Sequence, residues 1–345
     1  MNIHLAVDSG AFSLYRKRVG AEKVSGSSIS AKIAGQRRKN NDFYDTDELT
    51  QYLMDYAAYV KQYAPLLDFY VTVDAMFDAK RSWELLLRLE KLGLKPMPVF
   101  HCGGDEDFVW LKKYMDRYEY IGAGGIARSM GLARRMAFLR RMFAYMRGKD
   151  GHMKWKTHGF GVTSGEVMAA FPWYSCDSFS ALTMALNGRM QLPMVVFKGK
   201  KIVGFRFDKL GSNISVSARR QHDQGSYSKL GPSARAAVDA YLESIGTSFE
   251  AVCNDDKERI FASYYFYAKM AIELSAVRPE HDPLRLYFAG TIDKWIYPLL
   301  PRLEKVGIKD FRVLGSFFTD RKFIDLFPNG KVPRVKVSSP ALEAA

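Results

Sequence analysis

The chain has 345 residues, 48% hydrophobic and 14% aromatic, which supports a large packed core and excludes a disordered chain. Its formal net charge is +14 at pH 7, an excess that points to a polyanionic partner, most often nucleic acid. The three scattered cysteines, Cys102, Cys176 and Cys253, argue against a disulfide framework or a cysteine-rich zinc site, and no apolar run reaches the roughly 18 residues of a membrane span.

Ile3–Asp8 (IHLAVD) is expected as a buried strand, followed by a basic, Ser/Gly-rich loop over about 16–44. Asp45-Thr46-Asp47-Glu48 supplies cap and first-turn residues for a helix over 47–63. A second strand covers Phe69–Asp74, and a helix closed by Gly93 covers 79–92. Pro96–His101 is the third strand, 106–117 a helix, and Tyr120–Ala123 the fourth strand. In the helix over 130–147, Leu132, Met136, Leu139, Phe143 and Met146 recur at helical spacing and are expected on the core side. His158–Val162 and Trp173–Asp177 are the fifth and sixth strands.

The rhythm then breaks. Met194–Phe207 is expected as a hairpin turning at Lys198-Gly199-Lys200, followed by helices near 232–244 and 254–275. Arg285–Ala289, a helix near 295–306, and Phe311–Leu314 resume the alternation. Eight strands in βα order predict an α/β chain folded as one (β/α)8 TIM barrel, with an insertion after strand six over about 188–280. The segments 16–44 and 188–232 are expected to be irregular, functional loops. Both are basic: Arg16, Lys17, Arg18, Arg37, Arg38 and Lys39 in the first, Lys198, Lys200, Lys201, Arg206, Arg219 and Arg220 in the second. They are the candidate nucleic-acid contacts.

In such a barrel the chemistry gathers at the C-terminal ends of the strands. Strands one, two and six end in Asp8, Asp74 and Asp177. One such aspartate is a common helix cap, but three converging on one mouth suit glycosyl transfer, in which one carboxylate attacks the anomeric carbon and another moves a proton. Metal-assisted hydrolysis is the competing chemistry, with His101 and His158 as available ligands. Gly103-Gly104 and Gly124-Gly125 let a flat ligand approach the backbone, and Asp74 can accept from the N–H edge of guanine.

These motifs resemble the tRNA-guanine transglycosylase superfamily. The similarity rests on VDSGAF at 7–12, HCGG at 101–104, GAGGIA at 122–127, FGV at 160–162 and CDS at 176–178, over roughly residues 3–180. Within that superfamily the chain most resembles the DpdA branch of phages and bacteria, which inserts 7-deazaguanine bases into DNA. The resemblance implies Asp177 as nucleophile and Asp8 as general acid/base. It implies a base pocket of Asp74, Ser9, Gly10, His101, Cys102, Gly103, Gly124 and Gly125. Cys102 stands where the family carries glutamine, which shifts that contact toward His101. With Cys253 alone after strand six, no structural zinc is expected, and no cofactor. The partners implied are DNA and a free 7-deazaguanine base, in the cytoplasm, or the host's cytoplasm for a phage protein. The alternatives are the same chemistry on tRNA, a non-catalytic nucleic-acid-binding barrel and a metal-dependent nuclease. Phe12, Phe77 and Trp173 are candidates to stack on a flipped base.

Overall fold

The computed structural model describes residues 1–19, 44–75, 78–101, 108–126, 131–162, 164–278 and 280–327. In chain order the first elements are β1 (Asn2–Asp8), α1 (Ala11–Val19), α2 (Asp47–Tyr63), β2 (Leu67–Tyr70), α3 (Ala79–Lys91), β3 (Val99–His101) and α4 (Phe108–Met115). Then come β4 (Tyr120–Gly124), α5 (Leu132–Met146), β5 (Lys156–Gly159), α6 (Gly165–Ala170), β6 (Ser175–Ser178) and α7 (Ser180–Leu186). The rest are β7 (Arg189–Lys198), β8 (Lys201–Ser215), α8 (Pro232–Ser244), α9 (Phe249–Asn254), α10 (Asp256–Ala276), β9 (Arg285–Ala289), α11 (Leu300–Lys305) and β10 (Asp310–Ser316).

Eight strands form one curled sheet in the order β2-β1-β10-β9-β6-β5-β4-β3, and every neighbouring pair is parallel. The period-two alternation of a strand gives this sheet two buried faces. On β1, Leu5 and Val7 join the large core shared with the helices, while Ala6 joins a second cluster with Phe69, Val71, Met97, Val99, Tyr287 and Leu314. That second cluster lines the concave face, where Phe69 meets the rings of Tyr120 and Tyr287 edge-on, with centroids 5.3 and 5.0 Å apart. Asp8, two residues beyond Ala6, belongs to the same face.

The expected closed barrel is not what the ladder forms: the order has two ends, β2 and β3, and the sheet is open between them. One parallel bridge crosses that seam, Val71 with Met97. Thr72 N–H donates to the Met97 carbonyl at 3.0 Å, and Met97 N–H to the Tyr70 carbonyl at 2.8 Å. The next bond of the ladder would run from the Val99 N–H to the Thr72 carbonyl, which instead accepts the Ser9 hydroxyl at 2.8 Å.

The helices follow their sequence signals closely. Thr46 caps α2, its side chain accepting the Leu49 N–H, which stabilises the helix by about 1 kcal/mol. Gly93 closes the turn after α3 at φ 81°. Leu139, Phe143 and Met146 of α5 are buried with Met142, whereas Leu132, expected on that face, is 47% exposed because it opens the first turn beyond the packed part of the helix. The segment near 295–306 is not one helix. Pro298 and Pro301 break it into a π turn (Ile292–Ile296), a 3-10 turn (Tyr297–Leu299) and the short α11.

Two expectations of irregular loops are corrected. Residues 16–19 continue α1, because Gly10 at φ 72° turns the chain and its carbonyl accepts the Leu14 N–H at 2.9 Å. Most of 188–215 is a long antiparallel ribbon, β7 with β8, whose strands extend beyond the expected 194–207. Residues 20–43, most of the first basic segment, lie outside the described residues.

The ribbon has a direction. Its base adjoins Gly188, whose carbonyl accepts the Val216 N–H at 2.9 Å. Further along, the N–H groups of Phe207 and Asp208 donate to Glu273 near the end of α10, at 2.7 and 3.3 Å. Ser275, on that same end, accepts the Leu284 N–H just before β9 begins, at 2.9 Å. Glu273 therefore lies at the N-terminal end of the sheet strands, and the ribbon runs down the flank of α10 past it.

Candidate active site

Each aspartate reaches the mouth for a reason visible in its strand. Asp8 is the last residue of β1 and pairs in register with Ser316 of β10. Asp177 lies in β6, two residues beyond the buried Ser175, and pairs with Tyr287 of β9. Asp74 follows β2 on a short extended segment that leaves the seam bridge. All three sit at the C-terminal ends of parallel strands.

Helix α2 fixes two of those ends. Tyr52 and Tyr56, one turn apart on its buried face, donate their hydroxyls to the carbonyls of Ser9 at 2.5 Å and Val71 at 2.6 Å. The Tyr44 hydroxyl donates to the Asp74 carbonyl at 3.4 Å. Ser9 is fully buried, and its hydroxyl donates to the Thr72 carbonyl at 2.8 Å. This ties β1 to the Asp74 segment, so Ser9 shapes the turn rather than offering its hydroxyl to a base. Gly10 is held to glycine by its positive φ and by space: a Cβ there would fall 2.3 Å from Phe318 Cβ.

The three carboxylates are close enough to feel one another. Burial, then the charges of Asp74 and Asp177, push the Asp8 carboxyl up to about 7, against the lowering pull of the backbone N–H groups of Gly10 and Ser9. Asp8 is thus poised between acid and base at neutral pH. Asp177 is held differently. Its Oδ1 accepts the Gly161 N–H at 2.7 Å, in a turn that Gly161 makes at φ 64°. The His158 Nε2 lies 3.4 Å from the same oxygen.

Asp74 meets His101, Oδ2 to Nε2, in a close contact. The two residues come from opposite sides of the sheet seam. Gly124, opposite His101 on β4, leaves room for the ring: a Cβ there would lie 3.1 Å from His101 Cε1 and 2.9 Å from Val99 Cγ1. Gly125 turns the chain at φ 74°. Cys102 and Gly103 of the expected base pocket lie outside the described residues, as do Gly104 and Phe77.

His158 was legible in the sequence only as one of two available histidines. It is fully buried, its Nδ1 is 2.5 Å from Ser175 Oγ, and that oxygen also contacts the Tyr120 hydroxyl. The signal was its period-two offset from Phe160 on a strand facing inward. Cys176, beside Asp177, faces the other way into the helical core, and burial pushes its thiol well up, so it is no thiolate.

The aromatic and basic candidates separate by position. Phe12 is 42% exposed just beyond Gly10, and Phe179, which sequence reasoning passed over, is 47% exposed just beyond the Asp177 strand. Trp173 is corrected to a core residue: it is fully buried against Phe143, and its indole N–H donates to the Val167 carbonyl at 3.0 Å. Lys17 is exposed on α1, its ammonium 5.6 Å from the Phe318 ring centroid. Arg219 donates to the Leu186 carbonyl and Arg220 pairs with Asp223 at 3.2 Å, both at the ribbon base. Arg206 pairs with Asp208. Lys198, Lys200 and Lys201 are exposed at the ribbon tip, beyond Glu273, so the fold carries them away from the aspartates rather than around them. Arg37, Arg38 and Lys39 lie outside the described residues, as do the side chains of Arg16 and Arg18.

Among the described residues no helix is long and apolar enough to cross a membrane. No protein-family model, curated protein or solved structure matches the chain.

Proposed function

We propose that this chain is a guanine transglycosylase acting on DNA, exchanging guanine for a 7-deazaguanine base through a glycosyl-aspartate. The observation that carries the reading is the unequal treatment of two carboxylates at one mouth: Asp8 pushed up to about 7, Asp177 bonded through Oδ1 to a backbone N–H. Unequal environments for paired carboxylates are how acid/base and nucleophile roles are divided. The same reading takes the eight-stranded sheet as a (β/α)8 barrel whose closure rests on the Val71–Met97 bridge.

In the proposed mechanism, the Asp177 carboxylate forms a bond to C1′ of a flipped deoxyguanosine. The C1′–N9 bond breaks with its electron pair leaving on the base, and Asp8 delivers the proton that neutralises it. The incoming base then gives its N9 proton to Asp8 and attacks C1′, releasing Asp177. Asp74 and His101 read the base edge, and Phe12 and Phe179 offer apolar faces at the rim. The net charge of +14 supports a polyanionic substrate. A DNA substrate implies work in the cytoplasm that holds the genome.

The deciding experiment incubates the protein with duplex DNA, single-stranded DNA or tRNA and a panel of labelled 7-deazaguanines, then identifies the nucleosides released by digestion. Label in DNA is the expected result. Label in tRNA alone moves the substrate, and label in neither overturns the reading.

A further inference from the structure

We infer that His158 is a positioning residue for Asp177, locked by a buried Tyr120–Ser175–His158 chain into the tautomer that carries its proton on Nε2. The inference rests on the reading of Asp177 as the attacking carboxylate only for its effect on rate.

The chain lies on the concave face. His158 pairs in register with Ser175 across β5 and β6, and Tyr120 comes from β4 on the far side of β5. Ser175 Oγ meets both His158 Nδ1 and the Tyr120 hydroxyl. Ser175 and His158 are fully buried, and the rings of Phe69 and Phe160 pack on the imidazole with centroids 5.1 and 4.5 Å away. Counting protons links the polarity of the whole chain, and the Nε2 side then decides its direction. A serine hydroxyl has one proton. If Tyr120 donates to Ser175, Ser175 donates to His158 Nδ1, and the imidazole proton sits on Nε2. The reverse polarity would leave a bare Nε2 lone pair against the Asp177 carboxylate.

The Nε2 nitrogen is fully buried and makes no hydrogen bond among the described residues; Asp177 Oδ1 is 3.4 Å away. A buried unpaired donor costs about 1–3 kcal/mol, so the geometry favours Nε2–H closing on that oxygen. Gly161 N–H already holds Oδ1. Two donors on Oδ1 pin the carboxylate and leave Oδ2 as the oxygen free to attack. Catalytic hydrogen bonds are often long in an unliganded site and tighten when it is occupied.

Two measurements test this on the intact chain. Long-range 1H–15N spectra at pH 8 report the tautomer of each of the six histidines, with His158→Gln assigning the signals. Nε2–H is expected in the wild type, and Ser175→Ala is expected to mix the tautomers. An Nδ1–H wild type, or a pattern unmoved by Ser175→Ala, overturns the inference. Base exchange is the second readout. Ser175→Ala and Tyr120→Phe are expected to lower kcat about tenfold, roughly the worth of one hydrogen bond, with KM unchanged, and His158→Gln to retain more rate than His158→Phe. Unchanged kcat in Ser175→Ala also overturns it. A wild type with no exchange overturns the transglycosylase reading instead, and the spectra still decide the tautomer.

Discussion

Asp8 and Asp177 face one mouth from strands β1 and β6, with β10 and β9 between them, and the charge of Asp177 helps to keep a proton on Asp8. The two carboxylates are therefore inequivalent before any substrate arrives. The parallel register puts both at C-terminal strand ends, and the curl of the sheet turns both inward.

Asp177→Asn is expected to abolish exchange and the covalent adduct, because an amide oxygen is a poor nucleophile toward C1′. Intact-mass spectrometry after quenching on labelled DNA checks it. An adduct of wild-type yield in the variant would remove Asp177 from the attacking role.

Asp8 makes stability depend on pH with an uncommon sign for an aspartate. Its folded value of about 7 stands above the ordinary 3.8, so the unfolded chain releases this proton first as pH rises. The contribution is intact below about 4, and stability falls as pH climbs toward 7, by on the order of 4 kcal/mol in all. Asp8→Asn should remove the penalty. Thermal melts should show the variant gaining on the wild type from pH 5 to pH 8, and a gap that stays constant would contradict the raised carboxyl. Its exchange activity should be lost throughout.

The Asp74–His101 pair predicts a binding defect. His101→Ala leaves Asp74 without its partner, and losing one charge-assisted bond to the base is worth about 1.5–3 kcal/mol, or ten- to hundredfold in KM for the free base. Gly124→Ala should act in the same direction by crowding the imidazole. Steady-state kinetics with varied base measure both, and a pure kcat effect would place His101 elsewhere in the mechanism.

The ribbon predicts a separation of functions. Changing Lys198, Lys200 and Lys201 together to Gln should leave kcat unchanged, because the tip projects beyond Glu273 and away from the aspartates. Changing Lys17 and Arg219 to Gln should weaken DNA binding. Each phosphate no longer neutralised by a cationic side chain flattens the salt dependence by about one unit of slope. Titrations of DNA affinity against salt discriminate the two sets.

Most of the architecture was legible along the chain. Apolar runs ending in aspartate marked β1 and β6, Thr46 and Gly93 marked helix ends, and the hairpin announced itself at Lys198-Gly199-Lys200. Such features are local: caps, turns and period-two alternation act over a few residues. What the linear order could not carry was which side chains meet. Asp74 and His101 join across a seam bridged only at Val71 and Met97 among the described residues, and Tyr52 holds the Ser9 turn from a helix. His158 finds Asp177 only because β5 and β6 pair in one register, and the ribbon tip leaves the mouth because Glu273 fastens the ribbon to α10 at Phe207 and Asp208, short of that tip. By itself the sequence determined the elements and placed the two aspartates at strand ends. Tertiary structure decided their inequivalence, since burial and neighbouring charge shift a carboxyl only once distant strands have brought them together.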